Sequence, residues 1–155
     1  MTTSPVSFAD PDDVQRVAAN LAEVRRRIGA TGVDPSTIAV VAVTKTFDVA
    51  TVRAARAAGL GNMGENYVEE LEDKRRALDD PGVVWHYLGA LQSNKIARIA
   101  RVADVVSGVS REKEVRRLAA LRPGLTIDIQ VDLTRAPQRH GAPEEEVAAL
   151  VGLAR

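Results

Sequence analysis

Six consecutive apolar residues, Ile38-Ala39-Val40-Val41-Ala42-Val43, most narrow the folds open to this chain. The run is rich in β-branched side chains, too short for a typical helix, and apolar on both faces that a strand would present. A parallel strand buried under helices reads this way. Strand and helix patterns alternate around it. Upstream, Val14, Val17, Leu21, Val24 and Ile28 recur at spacings of three and four, one apolar stripe on a helix over 11–29, with Asp10 and Pro11 at its start and Gly29 and Gly32 at its end.

Downstream, the pattern predicts a helix over 49–58 capped by Asp48 and closed by Gly59, a short strand near 62–64, and a helix over about 67–78. A strand over 83–88, a helix over 93–103 and a minimal strand at Val105-Val106 follow. Ser110 is placed to cap the next helix, which turns Val115, Leu118 and Leu121 inward. Over 125–133, Leu125, Ile127, Ile129, Val131 and Leu133 alternate with Thr126, Asp128, Gln130 and Asp132 as a fifth strand, and Pro143 with Glu144-Glu145-Glu146 opens a last helix. The alternation implies right-handed βαβ units about a parallel sheet, an α/β fold that is either doubly wound or a barrel; periodicity does not choose between them. No repeat, low-complexity segment or linker divides the sequence, so one domain over residues 1–155 is expected.

Charge removes several classes of partner. Lys plus Arg and Asp plus Glu both number 21, leaving no excess positive field for nucleic acid or an anionic membrane surface. The basic runs Arg25-Arg26-Arg27 and Lys74-Arg75-Arg76 read as solvated helix faces. The chain has no cysteine, which excludes disulfides, thiolate zinc sites and a cysteine nucleophile. Two histidines without ligand spacing make a metal site unexpected. Residues 1–10 lack a basic and apolar leader pattern, and no apolar run approaches the roughly 18 residues of a membrane span, so a cytoplasmic location is expected.

Gly59-Leu60-Gly61-Asn62-Met63-Gly64 fits G-x-G-x-x-G, but it follows a helix where a dinucleotide fingerprint follows a strand, and Gly59 reads better as a helix stop. Lys45 is the sharper feature. It comes directly after the apolar strand, and in parallel barrels the C-terminal strand ends carry the chemistry. Desolvation at a barrel mouth would favour the neutral amine that attacks an aldehyde, whereas a lysine at a strand end can also simply extend into water. Gly64-Glu65-Asn66-Tyr67 and the stretch His86 to Lys95 fall at the ends of the next two strands, where an amide, an imidazole and a phenol could hold a flat polar ring.

Taken in order, VAVTKT at 41–46, GENYVEEL at 64–71, WHYLGALQSNK at 85–95 and IQVDLTRAPQRHGAPEEEV at 129–147 resemble the pyridoxal phosphate homeostasis family, whose barrel is shared with the N-terminal domain of alanine racemase. The likeness covers almost the whole chain from about residue 10. It implies a (β/α)8 TIM-type barrel in which Lys45 holds pyridoxal 5′-phosphate as a Schiff base, Asn66 lies near the cofactor ring and His86 lines the same pocket. It also implies a non-catalytic protein that holds the cofactor, contributes to vitamin B6 homeostasis and has pyridoxal phosphate-dependent apoenzymes as recipients.

Three departures from the family pattern stand out. Ser107-Gly108-Val109-Ser110-Arg111 replaces a loop close to HSVDS, and Arg139 stands where a lysine is usual. A full barrel of this type exceeds about 200 residues, so 155 residues with about five βα units after an N-terminal helix imply an incomplete barrel lacking the last three units. The resemblance places the phosphate among those units, near a serine-methionine-glycine loop. Two other readings remain: a racemase-like enzyme, which would need a second base from a separate domain, and a shortened remnant that requires a partner fragment. Unpaired edges on long first and fifth strands would favour self-association.

Overall fold

The computed structural model describes residues 9–134 and 141–155. Helix α1 (Pro11–Gly29) is capped by Asp10, whose carboxylate accepts from Asp12 N at 2.9 Å, with Pro11 in the first turn. Five βα units follow: β1 (Val41–Val43), α2 (Val49–Ala57), β2 (Asn62–Glu65), α3 (Val68–Leu78), β3 (Val84–Tyr87), α4 (Ile96–Val102), β4 (Val105–Val109), α5 (Glu112–Leu121), β5 (Thr126–Ile129) and α6 (Glu144–Ala154).

All neighbouring strands pair in parallel, in the order β1-β2-β3-β4-β5. A doubly wound sheet reverses direction at a switch point, whereas a barrel adds strands in sequence. The order therefore decides what periodicity left open: the chain is an α/β fold of the (β/α)8 barrel type, incomplete as described. Each helix packs beside its sequence neighbour, α1 on α2 through α5 on α6. The core lies between this row and the sheet, where Met63, Trp85 and Val106 meet Leu71, Ile99 and Leu118.

Several elements differ from the sequence expectation. β1 begins at Val41 because Pro35–Thr37 forms a 3-10 turn capped by Asp34, and Ile38 N is bonded back to Pro35 O. Its neighbour cannot start earlier either: Gly59 N and Leu60 N are held by Arg56 O and Ala55 O at the end of α2, so the first register pair is Val41 with Asn62. Gly59, at φ 93°, closes α2 and makes no dinucleotide loop. β4 is longer than expected, and its register with β5 shifts between Val106 and Val109 at Gly108, φ 81°. β5 ends at Ile129; beyond it Gln130 N still bonds to Val109 O and Val131 forms an isolated bridge to Ala142, while Leu133 is exposed. Both edge strands are thus short. Arg111, not Ser110, caps α5: Ser110 N and Arg111 N both donate to the Glu114 carboxylate.

Candidate functional site

The ends of β1, β2 and β3 form one rim. Thr44 N donates to Gly64 O at 2.9 Å, extending the β1–β2 ladder by one residue, and the chain then turns: Phe47 N bonds to Thr44 O at 3.1 Å. Lys45 is the second residue of this turn and Thr46 the third. Thr46 has φ 67°, a conformation that such a turn ordinarily gives to glycine. The Lys45 side chain is exposed, and among the described residues nothing pairs with it. Among the described residues nothing supplies the expected desolvation.

Val43, Gly64, His86 and Val105 lie in register across four strands. Asn66 leaves β2 two residues beyond Gly64, as Lys45 leaves β1 two residues beyond Val43. Lys45 and Asn66 thus stand at the ends of adjacent strands, and His86 sits one level below them on the third. No hydrogen bond joins the three. His86 is half-buried, and its Nε2 meets Asn62 Oδ1 at 2.9 Å. Burial holds its imidazole below the usual histidine range, with Asp128 and Asp104 opposing. The phenols do not join the rim: Tyr87 is buried on the helix side, bonded to Ala90 O at 3.2 Å, and Tyr67 is exposed. The next two turns touch backbone to backbone. A Cβ on Gly89 would come within 2.1 Å of Asn66 O, so only glycine fits there.

Beneath the rim lies a cluster that the sequence reading missed. Lys74 of α3, read as part of a solvated basic run, is buried. Its Nζ donates to Thr44 O at 2.7 Å, Glu65 Oε1 at 2.8 Å and Glu70 Oε2 at 2.7 Å, which engages all three ammonium protons. Thr44 Oγ1 also donates to Glu65 Oε1, at 2.6 Å, and Thr46 N to Glu70 Oε2, at 2.8 Å. Glu65 is fully buried; burial lifts its carboxyl above the ordinary glutamate range, with Lys74 and Thr44 opposing. Glu70 is held below that range, chiefly by the Lys74 hydrogen bond. Arg75 is also engaged, with Val102 O and Asp104; only Arg76 of that run fits a solvated face. The available signal was spacing: Val68, Leu71, Lys74 and Leu78 fall on one helical stripe, the buried one.

A cavity of about 410 Å³ opens at the ends of β3, β4 and β5, lined by Gly89, Gly108, Ser110, Arg111 and Gln130 among others. None of Lys45, Asn66 and His86 reaches it. Of the departures from the family pattern, the Ser107–Arg111 loop borders this cavity, while Arg139 lies outside the described residues. Among the described residues no group of three metal-ligating side chains occurs, and no helix is long and apolar enough to cross a membrane.

Comparison with known proteins decides the family. The model of the alanine racemase N-terminal domain matches residues 13–155. The chain belongs to that family. Among curated relatives, the pyridoxal phosphate homeostasis protein of Pseudomonas aeruginosa is 39% identical over 142 residues, covering 86% of this chain and 62% of that protein. The protein of the same name from Escherichia coli K12 is 36% identical over 149 residues, covering 87% and 64%. The structure of PipY from Synechococcus elongatus PCC7942 with PLP bound superposes with a TM-score of 0.74 at 32% identity, over 88% of this chain and 63% of PipY. The chain thus spans just under two thirds of the length of these relatives.

Proposed function

We propose that this family member binds pyridoxal 5′-phosphate through Lys45, as part of intracellular vitamin B6 homeostasis, without catalysing turnover. One observation carries the reading: an unpaired amine stands at the C-terminal end of the first strand, on a turn fixed from below, at the rim where barrels of this type place their chemistry. When bound, the cofactor supplies an aldehyde carbon that a neutral amine can attack. The residues present fit part of that group. Lys45 offers the amine, the Asn66 amide stands at the adjacent strand end, and His86, whose imidazole partial burial holds below the usual range, lies one level below on the open sheet face. Lys74 cannot substitute for Lys45, because its three protons are held by three acceptors.

The names of the relatives, and the PLP in the PipY structure, support cofactor binding here. A racemase-like reading would require a second proton-transfer group opposite Lys45, whereas the relatives' names point to cofactor homeostasis. Delivery to pyridoxal phosphate-dependent apoenzymes, a cytoplasmic setting and self-association over the open sheet face complete the proposal; Val43 and Val84, both exposed there, support the last.

The test is to add pyridoxal 5′-phosphate to the purified chain, reduce with borohydride and map the label by peptide mass spectrometry. The label is expected on Lys45, and Lys45→Ala should lose the accompanying visible absorbance. Absorbance retained in that variant, with label on Lys95 or Lys113, would overturn the assignment. Racemisation of alanine that disappears in Lys45→Ala would overturn the non-catalytic part.

A further inference from the structure

A lysine on the apolar stripe of a helix needs a reason beyond stability. Burying an ammonium among two carboxylates costs solvation that their attraction only roughly offsets, and an apolar side chain would fill the stripe as well. What distinguishes Lys74 is what it holds. Thr44 is bound twice, through its carbonyl to Lys74 and through its hydroxyl to Glu65. Thr46 is bound through its N–H to Glu70, which is itself bound to Lys74. The two residues flanking Lys45 are therefore fastened to one ammonium group, while Lys45 is left free.

The conformation so fastened is unfavourable by itself. A β-branched residue at φ 67° is strained and persists only where its surroundings impose it. We propose that Lys74 and Glu70, with Glu65 behind them, are positioning residues that brace the Thr44–Phe47 turn and so fix where the Lys45 amine meets the cofactor. This inference rests on the reading of Lys45 as the anchor. Glu65 is the fixed post: fully buried at the end of β2, it faces α3 on the opposite side of the sheet from Gly64 and His86.

The test uses Glu70, whose side chain is partly exposed, so that its variants keep the core intact. In Glu70→Ala, cofactor capture at Lys45, measured by titration of the visible absorbance, should weaken about tenfold, the size of the released strain, with the melting transition retained. Glu70→Gln keeps an acceptor for Thr46 N–H and should stay near wild type. Glu70→Ala combined with Thr46→Gly should recover capture, because glycine adopts the turn unaided. Hydrogen exchange at the Thr46 amide should quicken in Glu70→Ala alone, and this readout needs no cofactor. Capture within twofold of wild type in Glu70→Ala, or no recovery on adding Thr46→Gly, would overturn the bracing role. If wild-type Lys45 takes no label, the anchor reading fails; an unchanged Thr46 exchange rate in Glu70→Ala would then separately overturn the brace.

Discussion

The two faces of the sheet carry the same kinds of residue to opposite ends. On the face toward the helices, Met63, Trp85 and Val106 are all but inaccessible, and even an ammonium and a carboxylate are buried there, at Lys74 and Glu65. On the other face, Val43 is 47% and Val84 38% exposed, although each sits one residue from a side chain of the buried layer. Strand alternation assigns a side chain to a face; only a second layer makes that face an interior. Lys45 and Lys74 show the same contrast in charge: among the described residues nothing pairs with the first, whereas three acceptors hold the second.

The largest effect is expected at Trp85. Trp85→Ala should lower stability by about 3–5 kcal/mol, as for other large-to-small core changes, measured by denaturant unfolding; a loss below 1 kcal/mol would mean that the helix-facing layer is not the core. Next in size is Lys74→Met, expected to cost about 3 kcal/mol by stranding two carboxylates, one fully buried. A Lys74→Met protein as stable as wild type would show that the cluster has no claim on the fold. Thr46→Gly should act in the other direction, raising stability by about 1 kcal/mol, the relieved strain less the extra chain entropy of glycine; destabilisation would contradict the strain.

A pH series separates the two carboxylates. Glu65, with its raised folded pKa, binds more protons folded than unfolded. Its ionisation therefore costs nothing below the ordinary glutamate range, and the cost grows as pH rises through the raised value. Glu70 has the opposite sign: its stabilisation is present above the ordinary range and lost as pH falls through its lower folded value. Glu65→Gln should flatten only the upper limb of melting temperature against pH, and Glu70→Gln only the acid limb. The smallest effect belongs to the open face, where Val84→Thr should stay within about 0.5 kcal/mol and reduce any concentration-dependent association seen by gel filtration. A large loss of stability there would mean that the face is covered in solution.

The starts of α1 and α2 were legible because their determinants are local. Asp10 and Asp48 cap α1 and α2 by bonding N–H groups two and three residues away. Strand limits were not, because a strand ends where its neighbour does: Ile38 to Val40 are as apolar as Val41 to Val43, yet find no partner opposite the end of α2. Lys45, Asn66 and His86 were named from the family resemblance and remain a proposal; the βα alternation placed Lys45 and Asn66 just past the ends of their strands, whereas His86 lies within β3. The sequence by itself determined the βα alternation, the caps of α1 and α2 and the amine that follows the first strand, since each depends on neighbours within a turn or a strand. The order of the sheet, the exposure of Lys45 and the burial of Lys74 were decided only in three dimensions. The ammonium finds its acceptors 30, 9 and 4 residues away, and no local pattern fixes that Thr44, Glu65 and Glu70 converge on one point.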